Sequence, residues 1–257
     1  MTTDESADNR QGRTAEDDPD HWLGPTELLD LGDAKVRLRA RSLTQLAKSE
    51  REKALALYGY VKRLPFTRQF KLSLRGPRKV LEAGCGDALD KVGLLLALLR
   101  IVDIPARIRH MALPGEMLRG LLTRTAPTAR PVVEIWLGGQ WLATDTYIFD
   151  AAYMAAARHR LRELDWECGY GIHREGASIW GGLGNAFLVG DAIAAEHLKP
   201  VSGGVFEDPA AFVASPEFRQ THPALYSNLK VLALRKVIRN LRDEAVSGAP
   251  KTYGRTS

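Results

Sequence analysis

Cysteine is scarce in this chain of 257 residues: Cys85 and Cys168 are the only two, too few for a disulfide framework or a four-cysteine zinc site. With no such framework to need an oxidising compartment, a bacterial-type cytoplasm is the expected location. Histidine is also sparse, six in all, and no two stand at the helical spacing that pairs metal ligands, so no metal is expected. The longest apolar run, Val92 to Val102, contains Arg100 and falls short of the roughly 20 residues that span a bilayer. No membrane partner is therefore expected. The first residues show no basic-then-apolar order, so no secretory signal is expected. Aromatic residues make up only 7% of the chain, and its basic residues lack the interleaved rings that a single-strand platform uses. Nucleic acid is not an expected partner.

What is present suits a globular protein: 45% hydrophobic and 26% charged residues, with length for one domain of about 200 residues plus tails. The net charge of +5 is uneven. Seven acids face two arginines in residues 1–20, and seven bases face two acids from Asn228 onward. This reads as an acidic disordered tail at 1–20, a folded domain at 21–200, a helical extension at 201–247 and a flexible tail at 248–257. There is no internal repeat.

Along the chain, Val36 to Ala47 has helical spacing. Ser49 and Glu52 form a capping box for a second helix, whose Ala54, Leu57, Val61 and Leu64 share a face and which stops at Pro65. Residues Thr67 to Lys79 read as irregular. Ala106 to Met111 reads as a strand, and Leu113 to Arg130 as a long loop. Pro131 to Leu137 and Gln140 to Thr146 are strands joined by Gly138-Gly139, a pair that permits the positive φ angles of a two-residue hairpin. Ala151 to Leu164 should be helical and Gly169 to Gly184 a loop over the core. A last amphipathic helix is lined by Leu229, Leu232, Leu234, Val237, Ile238 and Leu241.

The chain is organised around Gly86 to Arg100, ending in Ile104-Pro105-Ala106-Arg107. A helix here is apolar on every side and belongs inside a core. Asp87 and Asp90 suit its positive N-terminal end, and Pro105 stops it. Its first turn is where a buried helix would lower the pKa of a thiol, yet the residue there is Ala88.

Gly86-Asp87, Asp90-Lys91, Leu98-Leu99-Arg100 and Ile104-Pro105-Ala106-Arg107, followed by Val133-Glu134-Ile135 and by Trp141 to Asp145-Thr146, resemble the transglutaminase-like superfamily of papain-type cysteine enzymes. The resemblance covers roughly Leu57 to Thr146. It implies an α+β fold, papain-like, with the central helix packed on an antiparallel sheet. It also implies a Cys-His-Asp triad, whose three positions here hold Ala88, Arg130 and Asp145. In that triad a thiolate attacks a carbonyl, an imidazole moves the proton and a carboxylate orients the ring. Ala88 has no atom to attack with, and Arg130 stays protonated and cannot act as a base. Arg130 can instead form a bidentate pair with Asp145. The function expected on this reading is a binding or scaffolding module that has lost cysteine chemistry. It needs no cofactor, and its ligand is a peptide or an anionic small molecule or protein.

Alternatives stay open. An active cysteine hydrolase or amide-transfer enzyme would require Cys85 as nucleophile on a helix that starts early, or a chain altered from one with cysteine at 88. Val80-Leu81-Glu82-Ala83-Gly84-Cys85-Gly86-Asp87 also resembles the first motif of methyltransferases that bind S-adenosylmethionine, which requires a strand at 80–83. Cys168 has no activating neighbour in sequence. His110 and His173 read as surface or capping residues that would matter only if they entered the cleft. Glu134 with Asp145 would make a pair of carboxylates, and Arg100, Arg107 and Arg109 read as structural pairing rather than phosphate capture.

Overall fold

The computed structural model describes residues 18–67, 74–121, 127–221 and 228–247. Two helices come first, α1 (Ala34–Thr44) and α2 (Glu50–Arg63). The Ser49 hydroxyl caps α2 by accepting the Glu52 N–H at 3.2 Å. The reciprocal half of the expected capping box is displaced by one residue, because the Glu52 carboxylate accepts from Lys48 N–H at 2.7 Å.

Part of the stretch expected to be irregular is helical. Pro77 opens a short helix, α3 (Pro77–Ala83), and Gly84 closes it in the left-handed region at φ 61°. This removes the methyltransferase reading, which needs a strand at those residues and a parallel sheet. Proline at the first helical position and glycine just past the last are ordinary helix punctuation. Residues 68–73 lie outside the described residues.

The central helix, α4 (Ala88–Ile101), begins at Asp87, whose side chain accepts the Leu89 and Asp90 N–H groups while Asp90 reaches back to the Asp87 N–H. Burial runs unbroken from Leu89 to Arg100. Each fully buried leucine contributes about 1.5–3 kcal/mol, so this helix anchors the core. At its far end the chain turns through Asp103 at φ 62°, and Arg100 donates to the carbonyls of Gly24, Ala106 and Glu207.

The sheet is antiparallel: β1 (Ala106–Leu113), β2 (Thr128–Leu137), β3 (Gln140–Thr144) and a short β6 (Val205–Phe206) lie in the order β3-β2-β1-β6. Gly138 and Gly139, at φ 60° and 82°, make the two-residue hairpin between β2 and β3. The segment expected as a long loop contains a 3-10 turn at Gly115–Leu118, and β2 starts at Thr128, before Pro131; 122–126 lie outside the described residues. One apolar cluster, containing Ile108, Val133 and Ile135, packs with α4, and another, containing Met111, Val132 and Ala143, collects Phe187 and Val189. Fold class is thus α+β, with the buried helix on an antiparallel sheet.

Next come α5 (Ala151–Glu163) and a two-residue ribbon, β4 (Cys168–Gly169) with β5 (Ile172–His173). The following glycine-rich loop covers the core through Trp180, which is 2% exposed and edge-on to Tyr58. The remaining helices are α6 (Asp191–His197), α7 (Pro209–Ala214), α8 (Pro216–Thr221) and α9 (Asn228–Ser247). Ile238 and Leu241 of α9 reach the main core, and Arg242 pairs with Asp150 at the cap of α5. The acidic segment 1–17 and residues 248–257 lie outside the described residues.

Candidate functional site

β2 carries Arg130 three residues into the strand, and the chain leaving β3 places Asp145 immediately after Thr144. The two side chains meet, with Arg130 Nη1 2.9 Å from Asp145 Oδ2. Both are buried, Asp145 completely. The expected bidentate pair is not what forms. Arg130 Nη2 donates instead to the Gly171 carbonyl at 2.7 Å, and Asp145 Oδ1 accepts the Leu188 N–H at 2.7 Å. A buried carboxylate with one oxygen on a guanidinium and the other on a backbone amide is fully satisfied. Burial pushes the Asp145 carboxyl up from the usual carboxylate range, while Arg130 and the Leu188 amide pull it back.

The Gly171 carbonyl is held in place by a tight turn. Tyr170 and Gly171 join β4 to β5 with φ of 54° and 82°, and their N–H groups donate to the carbonyls of Arg119 and Met117. The Tyr170 carbonyl accepts the Tyr153 hydroxyl at 2.7 Å. A side chain at position 171 would be strained by its φ and would also meet the Phe149 ring at 2.7 Å and Arg130 Nη2 at 3.3 Å.

Ala88 occupies the first helical position of α4, half-buried against the main core. Tyr147, two residues after Asp145, is fully buried and donates to the Pro131 carbonyl, next to Arg130, at 2.8 Å. Charges on Asp145, Arg130 and Asp87 all act on that phenol, although burial dominates and keeps it protonated well beyond the usual range. Two lysines are buried against the segment that follows Asp145. Lys91 donates to the carbonyls of Lys62, Leu64 and Ile148, and Lys62 to those of Thr146 and Phe149. Burial lowers Lys91 to about 7 and Lys62 to about 8. No local sequence pattern announced the Gly171 and Leu188 partners, which lie 41 residues from Arg130 and 43 from Asp145.

Cys85 is half-buried in the link between α3 and α4, outside the helix, which does not start early. Its carbonyl accepts from Arg75, and the next residue, Gly86, bridges to Phe66. Cys168 lies in β4, where burial pushes its thiol up, away from the thiolate. His173 is half-buried, and its Nδ1 accepts the Glu175 N–H. His110, read as a surface or capping residue, is instead buried at 2% exposure. Glu134 is spent on Arg107 at 2.6 Å and Arg109 at 2.8 Å, so it forms no acid–base pair with Asp145. Arg107 also lies over the Trp141 ring at 4.1 Å. Among the described residues no cluster of three or more potential metal ligands occurs, and no helix is long and apolar enough to cross a membrane.

Residues 37–146 match the family model described as the transglutaminase-like superfamily. No match is found among curated proteins. Of solved structures, a candidate cysteine protease from Cytophaga hutchinsonii aligns at 17% identity and TM-score 0.45, over 74% of this chain and 47% of its own. A candidate protease from Parabacteroides distasonis aligns at 19% identity and TM-score 0.35, over 49% of this chain and 26% of its own. The chain thus spans less than half the length of either.

Proposed function

We propose that the chain builds on its transglutaminase-like region a binding or scaffolding module that does no cysteine chemistry. The observation that carries this reading is the closure of the Arg130–Asp145 pair. The two Nη atoms of Arg130 go to Asp145 and to the Gly171 carbonyl, and the second Asp145 oxygen takes the Leu188 amide. A catalytic acid–base group has to exchange a proton with substrate. Arg130 cannot, and Ala88 at the head of α4 supplies no nucleophile. Asp145, which would orient an imidazole in the family's triad, here neutralises a guanidinium. A peptide or anionic ligand is the class of partner this reading admits, since a carboxylate that displaced the Gly171 carbonyl would find a donor in Nη2 of Arg130.

The competing reading, a cysteine enzyme acting through Cys85, is tested by thiol labelling. A thiol-reactive probe at neutral pH should label Cys85 no faster than it labels an unfolded peptide thiol, and the protein should neither hydrolyse nor cross-link amide substrates. Rapid, saturable labelling of Cys85 would identify an activated thiolate and replace this proposal with the enzyme reading.

A further inference from the structure

His110 is an anomaly in the core. It is 2% exposed, and neither ring nitrogen has a hydrogen-bond partner among the described residues, whereas buried polar groups are ordinarily satisfied. The ring ends an aromatic cluster that staples the segment after α6 to the sheet: His110 to Phe212 at 5.7 Å, Phe212 to Phe206 at 5.5 Å and Phe212 to Phe218 at 5.5 Å between centroids. The same residue anchors that segment by its backbone, donating to the Gly204 carbonyl and accepting the Lys199 N–H. Pro209, the first residue of α7, lies against α4 where Gly93 leaves room for it; a Cβ at 93 would meet Pro209 at 3.2 Å. The seating of α7 and α8 against β1 therefore passes through the contact of Phe212 with one imidazole.

We propose that His110 is a proton-operated latch, whose protonation releases α7 and α8 from β1 and the adjoining side of α4. A neutral imidazole packs among phenylalanines as a slightly polar ring. An imidazolium there must give up its hydration with no hydrogen-bond acceptor among the described residues, a cost that exceeds the ~2 kcal/mol a cation can gain from a ring face. Few charges oppose this. Of the described elements around the ring, α7 and β6 carry no ionisable side chain, the buried Asp208 carboxylate that caps α7 is taken up by the Ala211 N–H and the Thr26 hydroxyl, and across the ladder β2 offers Pro131. Glu217 of α8 favours the proton and Lys199 disfavours it, and burial outweighs both, lowering the ring below its usual value. The sign follows. Once α7 lifts, the ring regains an ordinary pKa of about 6.5, so below that pH opening takes up a proton and becomes more favourable. The opening constant rises by at most about tenfold per pH unit, until the closed form is itself protonated.

Hydrogen exchange on the full chain between pH 7.5 and 5, corrected for intrinsic rates, tests this. The Phe212, Ser215 and Arg219 amides, bonded within α7 and α8, should lose protection several-fold per unit below pH 6.5, while the amides of the β1–β2 ladder keep theirs. His110→Phe and His110→Gln, neither of which titrates, should abolish the slope. A slope retained in either variant, or absent from the unmodified protein, overturns the proposal. Should neither variant fold, the His110 ring resonances decide. Titration coinciding with the exchange transition supports the latch, and a ring that stays neutral to pH 5 removes it.

Discussion

At the scale of the residue, Arg130 is the test of the site. Its guanidinium bonds a fully buried carboxylate and a backbone carbonyl. Replacing it with methionine keeps the bulk and leaves the Asp145 carboxylate without its cationic partner, held by backbone amides such as that of Leu188. Breaking a buried pair from one side costs about 3–5 kcal/mol, and Arg130→Met should lower unfolding stability by that amount in a denaturant titration. A loss of anionic ligand without a loss of stability would make Arg130 a ligand group rather than a structural one. The pairing itself was open to sequence reading, because both flanking patterns are intact. Its geometry was not. The Gly171 carbonyl that takes half of the arginine fork belongs to a turn between two-residue strands, too short to leave a periodic pattern in the sequence.

Among the elements, α4 dictates the arrangement. Its apolar run is legible as a buried helix, and its start as acidic, because helix capping and burial are local properties of the chain. Asp87 caps two N–H groups and receives the Asp90 side chain on its own. Asp87→Ala should therefore cost about 1 kcal/mol, within the 0.5–2 typical of lost caps, read as a lowered Tm with unchanged fold by circular dichroism. The short α3 was not legible as a helix. Seven residues lie below the length at which periodicity distinguishes a helix from a strand, and its helical state rests on packing against α1 and α4.

For the molecule as a whole, buried lysines and tyrosines shape the dependence of stability on pH. In the unfolded chain lysine keeps its proton to about 10.4, whereas Lys91 in the fold releases it near 7 and Lys62 near 8. Across that window the unfolded state holds more protons, so stability rises with pH. Above about 10 the unfolded tyrosines ionise, while burial keeps Tyr58, Tyr147 and Tyr153 protonated; the folded state then holds more protons and stability falls. Thermal melts in a pH series should show a maximum between about pH 8 and 10, and Lys91→Met should flatten the rising limb. A stability curve already falling above pH 7 would mean that Lys91 keeps its charge on its three carbonyls.

The sequence by itself determined the buried helix, the glycine hairpin and most of the three strands around it, because each depends on periodicity, capping or turn chemistry within a dozen residues; the strand expected to run to Thr146 ends at Thr144, and the α+β class was legible through the family resemblance. Tertiary structure alone decided which polar groups are satisfied. The Arg130 fork is split between two partners, Glu134 is claimed by Arg107 and Arg109, and Cys85 is left outside the helix. It also decided that His110, which reads as an ordinary surface or capping residue, is packed against Phe212 without a ring hydrogen-bond partner among the described residues. Burial of a polar group is a property of everything packed around it, and the segments that enclose this site return from far along the chain.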